Sequence, residues 1–367
     1  MRNFACTSCG NEVYFENVKC LRCKHALGFH PERQAILALE PVGVGLYRSA
    51  GERRPGQGVF SYCTNHSHGA CNWLTPAESR NEHSFCIACV LNRTIPNLKE
   101  RGSLLAWREL ERAKKRLVYS MLRFNLPLDG AHWGKGRLSF DFVRNATTGH
   151  LDGVITIDIA EADAVELERQ RQYFGEPYRS LLGHLRHESG HFYWMVLVEA
   201  SGRLKEFRAL FGDERQEYAK ALKKHHAEGP PKAWSEKFVS AYASAHPWED
   251  WAETWALYLH LVDAIDTAEA EGTKLRTAGL SLTDDTTPDN YDAYREESFS
   301  ALMQRWIPLT IAMNSLSRSL GNPDFYPFAI PSPAYNKLAF IHRVMRDGPR
   351  QVEVGNEAGA KPAFHAE

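Results

Sequence analysis

Apolar residues recur at helical spacing between Ser103 and Arg123 (Leu104, Trp107, Leu110, Leu117, Met121 and Leu122) and predict a helix there. The period then drops to two. Leu138-Ser139-Phe140-Asp141-Phe142 alternates as a half-buried strand does, Thr147 to His150 reads as a turn, and Val154 to Ile159 reads as a second strand. Helical patterning resumes in a charged segment near 161–173 and a strongly apolar one from about Tyr178 to Val198. It continues over Glu214 to His225 with Asp213 as N-cap, Pro247 to Glu269, Glu296 to Leu320, and Asn336 to Met345. Ahead of residue 98 the periodicity is weak: Glu12 to Asn17 predicts a short hairpin, Arg53 to Gly58 an exposed loop, and Asn92 to Asn97 an exit from this first region. Residues 281–291 read as loop, and from Asp347 the chain turns to Gly, Glu, Ala and Lys, the composition of a disordered tail. The predicted fold class is α+β. A small module occupies 1–98, a mostly helical domain with a small β-sheet 99–346, and a tail 347–367.

The 367 residues are 43% hydrophobic, enough for two or three domains with real cores. A formal net charge of −1 gives no global basic field, so composition argues against a nucleic-acid partner. Arg108, Arg112, Lys114, Lys115 and Arg116, mixed with Glu109 and Glu111, read as the solvated face of the first helix. Met1 to Cys6 has no apolar signal region and no run of about 18 apolar residues follows, so no membrane span is expected.

All eight cysteines lie before residue 90. Cys6-x2-Cys9 and Cys20-x2-Cys23 form two knuckles about ten residues apart, the spacing of a closed structural zinc site. Cys86-x2-Cys89 is a third knuckle, with partners to be drawn from Cys63, Cys71, His66, His68 or His83. Cys63 and Cys71 are favoured because four sulfurs then leave no thiol over; a site with three Cys and His66 or His68 stays open. Zinc-bound thiolates without a secretion signal point to the cytoplasm. A module this small draws its folding energy largely from metal.

The helix predicted over Tyr178 to Val198 carries His187-Glu188-Ser189-Gly190-His191. Residues four apart share a helical face, so His187 and His191 can grip one metal ion while Glu188 reaches a water on it. Ser189 and Gly190 are small and suit a helix with something packed close to it. A catalytic zinc needs a third ligand and an open position. Glu249 and Glu253 share a face of the Pro247 helix: one can bind the metal, and the other can accept the free ring N–H of a ligand histidine. His225 and His226, at a charged helix end beside Lys223 and Lys224, read as surface.

H-E-x-x-H followed by a helix bearing E-x-x-x-E resembles the gluzincin metallopeptidases. The full layout, zinc ribbon first and then Pro247-Trp248-Glu249-Asp250-Trp251-Ala252-Glu253-Thr254-Trp255, is similar to a bacterial family of zinc-binding metallopeptidases. The resemblance implies Glu249 as third ligand, Glu253 as its support, and a Tyr or His before the glutamate helix as oxyanion donor; Tyr242 fits, with His246 as runner-up. It further implies a sheet ahead of the metal helix whose edge strand pairs with substrate, assigned by order to 153–159. The function expected is zinc-dependent peptide hydrolysis with Glu188 as general base, three zinc ions per chain, a peptide or protein substrate and a protein partner at the ribbon. The competing expectation is a non-catalytic protein-binding module on a structural zinc scaffold.

Overall fold

The computed structural model describes residues 3–51, 58–79, 84–163, 167, 169, 180–272, 276–277, 280–281, 291–326 and 329–350. The expected Arg53 to Gly58 loop up to residue 57, the rest of the 161–173 helix, the 282–290 loop and the tail from 351 lie outside these residues.

The first hundred residues are a metal-knuckle unit grown onto a sheet. Strands β1 (Phe4–Ala5) and β2 (Glu12–Val13) pair antiparallel around the Cys6–Cys9 turn, so the hairpin begins earlier than Glu12 to Asn17 suggested. Beyond it lies an antiparallel five-stranded sheet in sequential order: β3 (Ala26–His30), β4 (Ala35–Gly43), β5 (Leu46–Ser49), β6 (Phe60–Tyr62) and β7 (Leu74–Pro76). Sequence patterning did not reveal this sheet, because β4 runs as Ile36-Leu37-Ala38-Leu39 with all four residues buried, and a continuous apolar run has no period of two.

Helix α1 (Ser103–Arg123) is the seam of the molecule. Its Tyr119 ring packs edge-on against Phe4, Phe15 and Phe29 of the first unit, and one hydrophobic core runs continuously from Phe4 to Met345. Lys114 and Lys115 are buried, not on the solvated face that composition suggested. Their ammonium groups meet the buried Glu111 carboxylate at 2.7 and 2.6 Å, and Lys115 also donates to Ala70 O. Two positive charges and one negative charge thus sit beside Cys89, whose Sγ is 3.6 Å from Glu111.

A second, mixed sheet has the order β10-β11-β9-β8, with β8 (Asn92–Thr94), β9 (Ser139–Val143), β10 (Gly149–Leu151) and β11 (Val154–Asp158). The presumed exit segment supplies β8, which runs parallel to β9, and β11 is parallel to β9 on its other side. Two earlier expectations are corrected here. Residues 154–158 are internal, and the edge belongs to β10, at the stretch read as a turn. Its antiparallel pairing with β11 through the Asp152-Gly153 turn takes up that edge.

Seven helices complete the described fold. After α1 come α2 (Leu181–Trp194), α3 (Leu204–Phe211), α4 (Tyr218–Glu228), α5 (Pro247–Ala270), α6 (Phe299–Ser319) and α7 (Ser332–Asp347). Ser180 caps α2 by accepting from Gly183 N, and the helix widens into a π turn over Met195–Glu199. Asp213 does not cap α4, which begins at Tyr218; its carboxylate accepts from Arg215 N in the turn before. Pro247 opens α5 at the position where a missing N–H costs nothing. No described helix is long and apolar enough to cross a membrane.

Helices α2 and α5 cross at Gly190. A Cβ there would meet Ala252 Cα at 3.0 Å and the Trp255 ring at 3.1 Å. Trp251 Nε1 donates to Gly190 O at 2.8 Å and Trp255 Nε1 to Ser189 Oγ at 3.2 Å, so the backbone contact carries its own hydrogen bonds. Further along, Arg186 of α2 pairs with Asp263 and His260 of α5.

Removing the Glu111 carboxylate leaves two buried ammonium groups without their partner. Glu111→Ala is expected to lose about 3–5 kcal/mol of unfolding free energy. Denaturant titration with zinc saturating measures it, and a loss under about 1 kcal/mol would contradict this account.

Candidate metal centre

Three clusters of ligating atoms converge among the described residues. In the first, Cys6 Sγ lies 3.6 Å from Cys23 Sγ and Cys9 Sγ 3.7 Å from Cys20 Sγ. In the second, Cys71 and Cys86 are 3.7 Å apart, with Cys63 and Cys89 completing the group. Four sulfurs at about 2.3 Å from a tetrahedral zinc are about 3.8 Å from one another, so both sets fit the ion. His66 spends its Nδ1 on Cys71 O at 2.8 Å and stacks on Tyr62, and His68 lies edge-on to Trp107. The described residues therefore favour the all-sulfur set.

The third cluster is His187, His191 and Glu249. Helical phase places the two imidazoles one turn apart on α2, and the Gly190 contact brings the first turn of α5 against them. His187 Nε2 is 3.0 Å from Glu249 Oε2, and His191 Nε2 is 3.6 Å from Glu249 Oε1. His187 Nδ1 meets Glu253 Oε1 at 2.6 Å, which fixes the ring and aims Nε2 at Glu249. Ser240 Oγ in turn donates to Glu253 Oε2 at 2.6 Å. Glu249 is 1% exposed, and its Oε2 has no hydrogen-bond partner among the described residues. Two nitrogens and a carboxylate, dry and facing one another, suit zinc.

The electrostatics agree with a cation site. Burial alone would raise the Glu249 carboxyl, but His191, His187 and the Tyr218 hydroxyl bring it down to about 2. Burial lowers His191, whereas at His187 the Glu249 and Glu253 carboxylates outweigh burial and raise the imidazole well above its usual range; both shifts mark a dry pocket rich in carboxylate, which a cation would fill. Tyr242, on the turn just before α5, packs its ring 6.0 Å from that of His187, and burial among carboxylates raises its phenol well above the usual range, so it is a donor. His246 is committed elsewhere: it caps α5 through Nδ1 to Trp248 N and sets Nε2 on Gln216 O. His225 is half-buried against Tyr242, with ring centroids 6.0 Å apart, and is not simply surface.

Besides Ser240, further residues that sequence reasoning missed enter the site. His184, one turn before Glu188, places Nε2 3.3 Å from Glu188 Oε1. Its Nδ1 is 2.7 Å from buried Glu161, which Thr148 Oγ1 holds from the β10 approach. His150 of β10 stands with its ring 6.0 Å from His191. Tyr218 of α4 donates to Glu249 Oε1 at 2.6 Å. Only His184 carried a sequence signal, its i−4 spacing from Glu188; the others arrive by tertiary contact.

These features are what a zinc ribbon and a metallopeptidase core would show, and the comparisons agree. Residues 3–100 match a zinc-ribbon domain, and residues 103–344 match the family described as "Putative zinc-binding metallo-peptidase". The chain belongs to that family. It is 38% identical over 352 residues to uncharacterized proteins of Mycobacterium tuberculosis and Mycobacterium bovis, covering 94% of this chain and 95% of each relative. No solved structure matches it.

Gly190→Ala forces a methyl into the α2–α5 contact. It is expected to cost about 1–3 kcal/mol and to weaken metal binding at His187 and His191 while leaving the cysteine sites loaded, as thermal unfolding and zinc analysis would report. For His184, burial alone would lower the imidazolium, but Glu161 and Glu188 on its two nitrogens outweigh it and push it up to about 9. A raised pKa gives stability that is complete below the unfolded value near 6.5 and is lost as pH climbs through about 9. His184→Gln should therefore be less stable than the wild type at pH 6, with the gap narrowing toward pH 9.5. A gap constant over that range would deny the linkage.

Proposed function

We propose that the protein is a zinc-dependent peptidase with His187, His191 and Glu249 as ligands of the catalytic ion. The observation that carries this is the dry convergence of these three groups with Glu188, buried on the same helix, one position beyond His187. Zinc held there supplies an acidified water and a Lewis acid for the scissile carbonyl.

This chain's own residues would do the rest. Glu188 acts as general base: His184 takes its Oε1, leaving Oε2 to accept a proton and carry it to the leaving amine. Glu253 holds His187 in the tautomer that presents Nε2, with Ser240 holding Glu253. Tyr242 donates its phenolic hydrogen to the developing oxyanion. In this reading the two cysteine sites hold structural zinc, three ions in all, and 1–98 and 99–346 act as ribbon and catalytic units. Eight free thiols arranged for metal support a reducing, cytoplasmic setting.

Elemental analysis of the wild type should return three zinc ions per chain, and of Glu249→Ala two. Glu188→Gln should keep three while losing roughly 10²–10⁴-fold in kcat/KM on a quenched-fluorescence peptide library. Two ions in both wild type and Glu249→Ala, or full activity in Glu188→Gln, would favour a binding module on a zinc scaffold.

A further inference from the structure

Tyr218 lies between the two metal helices in sequence, in a stretch that in itself suggests nothing but a charged surface helix. None of the residues of α4 is fully buried, yet its first residue reaches into the site. The Tyr218 hydroxyl donates to Glu249 Oε1 at 2.6 Å, while Glu249 Oε2, 3.0 Å from His187 Nε2, keeps no hydrogen-bond partner among the described residues. The Tyr218 ring is held edge-on against His246, the N-cap of α5, and against Trp248, which itself lies 4.0 Å from His191. The phenol is thus fixed by the same helix start that carries Glu249.

We infer that Tyr218 is a positioning residue for the third metal ligand: by occupying Oε1 it makes Glu249 a one-oxygen ligand through Oε2. The physical argument is competition for lone pairs. A free carboxylate beside a divalent cation can turn both oxygens to it, and a second oxygen would fill the position that water or substrate needs. A short phenol–carboxylate bond in a dry site holds that oxygen back. The segment between the metal helices then belongs to the centre, setting its coordination number from outside.

The inference rests on the metal-site reading above but not on peptidase activity. The test is competitive zinc titration and the visible d–d spectrum of the full-length protein with cobalt at this centre and zinc left in the cysteine sites, for wild type and Tyr218→Phe. Tyr218→Phe should weaken zinc at this centre by roughly 10–100-fold and reduce the cobalt band intensity, as a four-coordinate ion gains a fifth ligand. Unaltered affinity and spectrum in Tyr218→Phe overturn the inference; a wild type that binds only two ions overturns the metal-site reading beneath it. Should Tyr218→Phe fail to fold, a crystal structure of zinc-loaded wild type decides: Oε1 on Tyr218 and Oε2 on zinc supports the assignment, and both oxygens on zinc refutes it.

Discussion

The centre depends on how closely α2 can approach α5. Histidine and glutamate side chains reach a common point only if the two helices pack closely, and Gly190 permits this by putting backbone against Ala252. Tryptophans buried at such a contact must find acceptors for their indole N–H groups. Here α2 supplies them: Trp251 Nε1 donates to Gly190 O, and Trp255 Nε1 donates to Ser189 Oγ. The small pair inside the metal motif and the tryptophans of the glutamate helix are therefore two halves of one contact. Each would be poorly satisfied without the other.

Around that contact the charges are arranged in chains, not isolated pairs. Glu161, His184 and Glu188 form one buried series; Ser240, Glu253, His187 and Glu249 form another. Each series alternates acceptor and donor, so every imidazole has its second nitrogen fixed, His191 excepted. In a low-dielectric interior such chains are stable only when fully paired. Four carboxylates against two imidazoles in these series leave an excess of negative charge, which a divalent cation at the His187–Glu249 end would balance. Order at the centre is imposed largely by groups that touch no metal ligand directly, such as Ser240 and Glu161.

Much of this was legible from sequence wherever the pattern was local. His187, His191 and Glu188 are related by helical phase alone, and so are Glu249 and Glu253, so their grouping needed no tertiary knowledge. The knuckles were legible because a turn fixes the sulfur positions within four residues. What was hidden depends on contacts distant in sequence. Tyr218 and Ser240 reach the site through the fold of the intervening segment. Lys114 and Lys115 looked solvated because composition cannot show that Glu111 neutralises them indoors. The sheet edge was misplaced because β9 and β11 are parallel neighbours, which leaves β10, short and between them in sequence, to fold back outside β11.

The ribbon, too, is more than an appendage by this logic. The first unit shares one hydrophobic core with the rest of the described chain, and its second cysteine site is bonded to that core through α1. Lys115 ties Ala70, beside Cys71, to Glu111 of α1, and Glu111 reaches Cys89 and, through Lys114, Asn92 at the start of β8. β8 then enters the mixed sheet whose far edge is β10, and Thr148 just ahead of β10 holds Glu161, the outer member of the chain that ends on Glu188. A continuous set of hydrogen bonds and sheet pairings thus runs from a sulfur cluster to the candidate base.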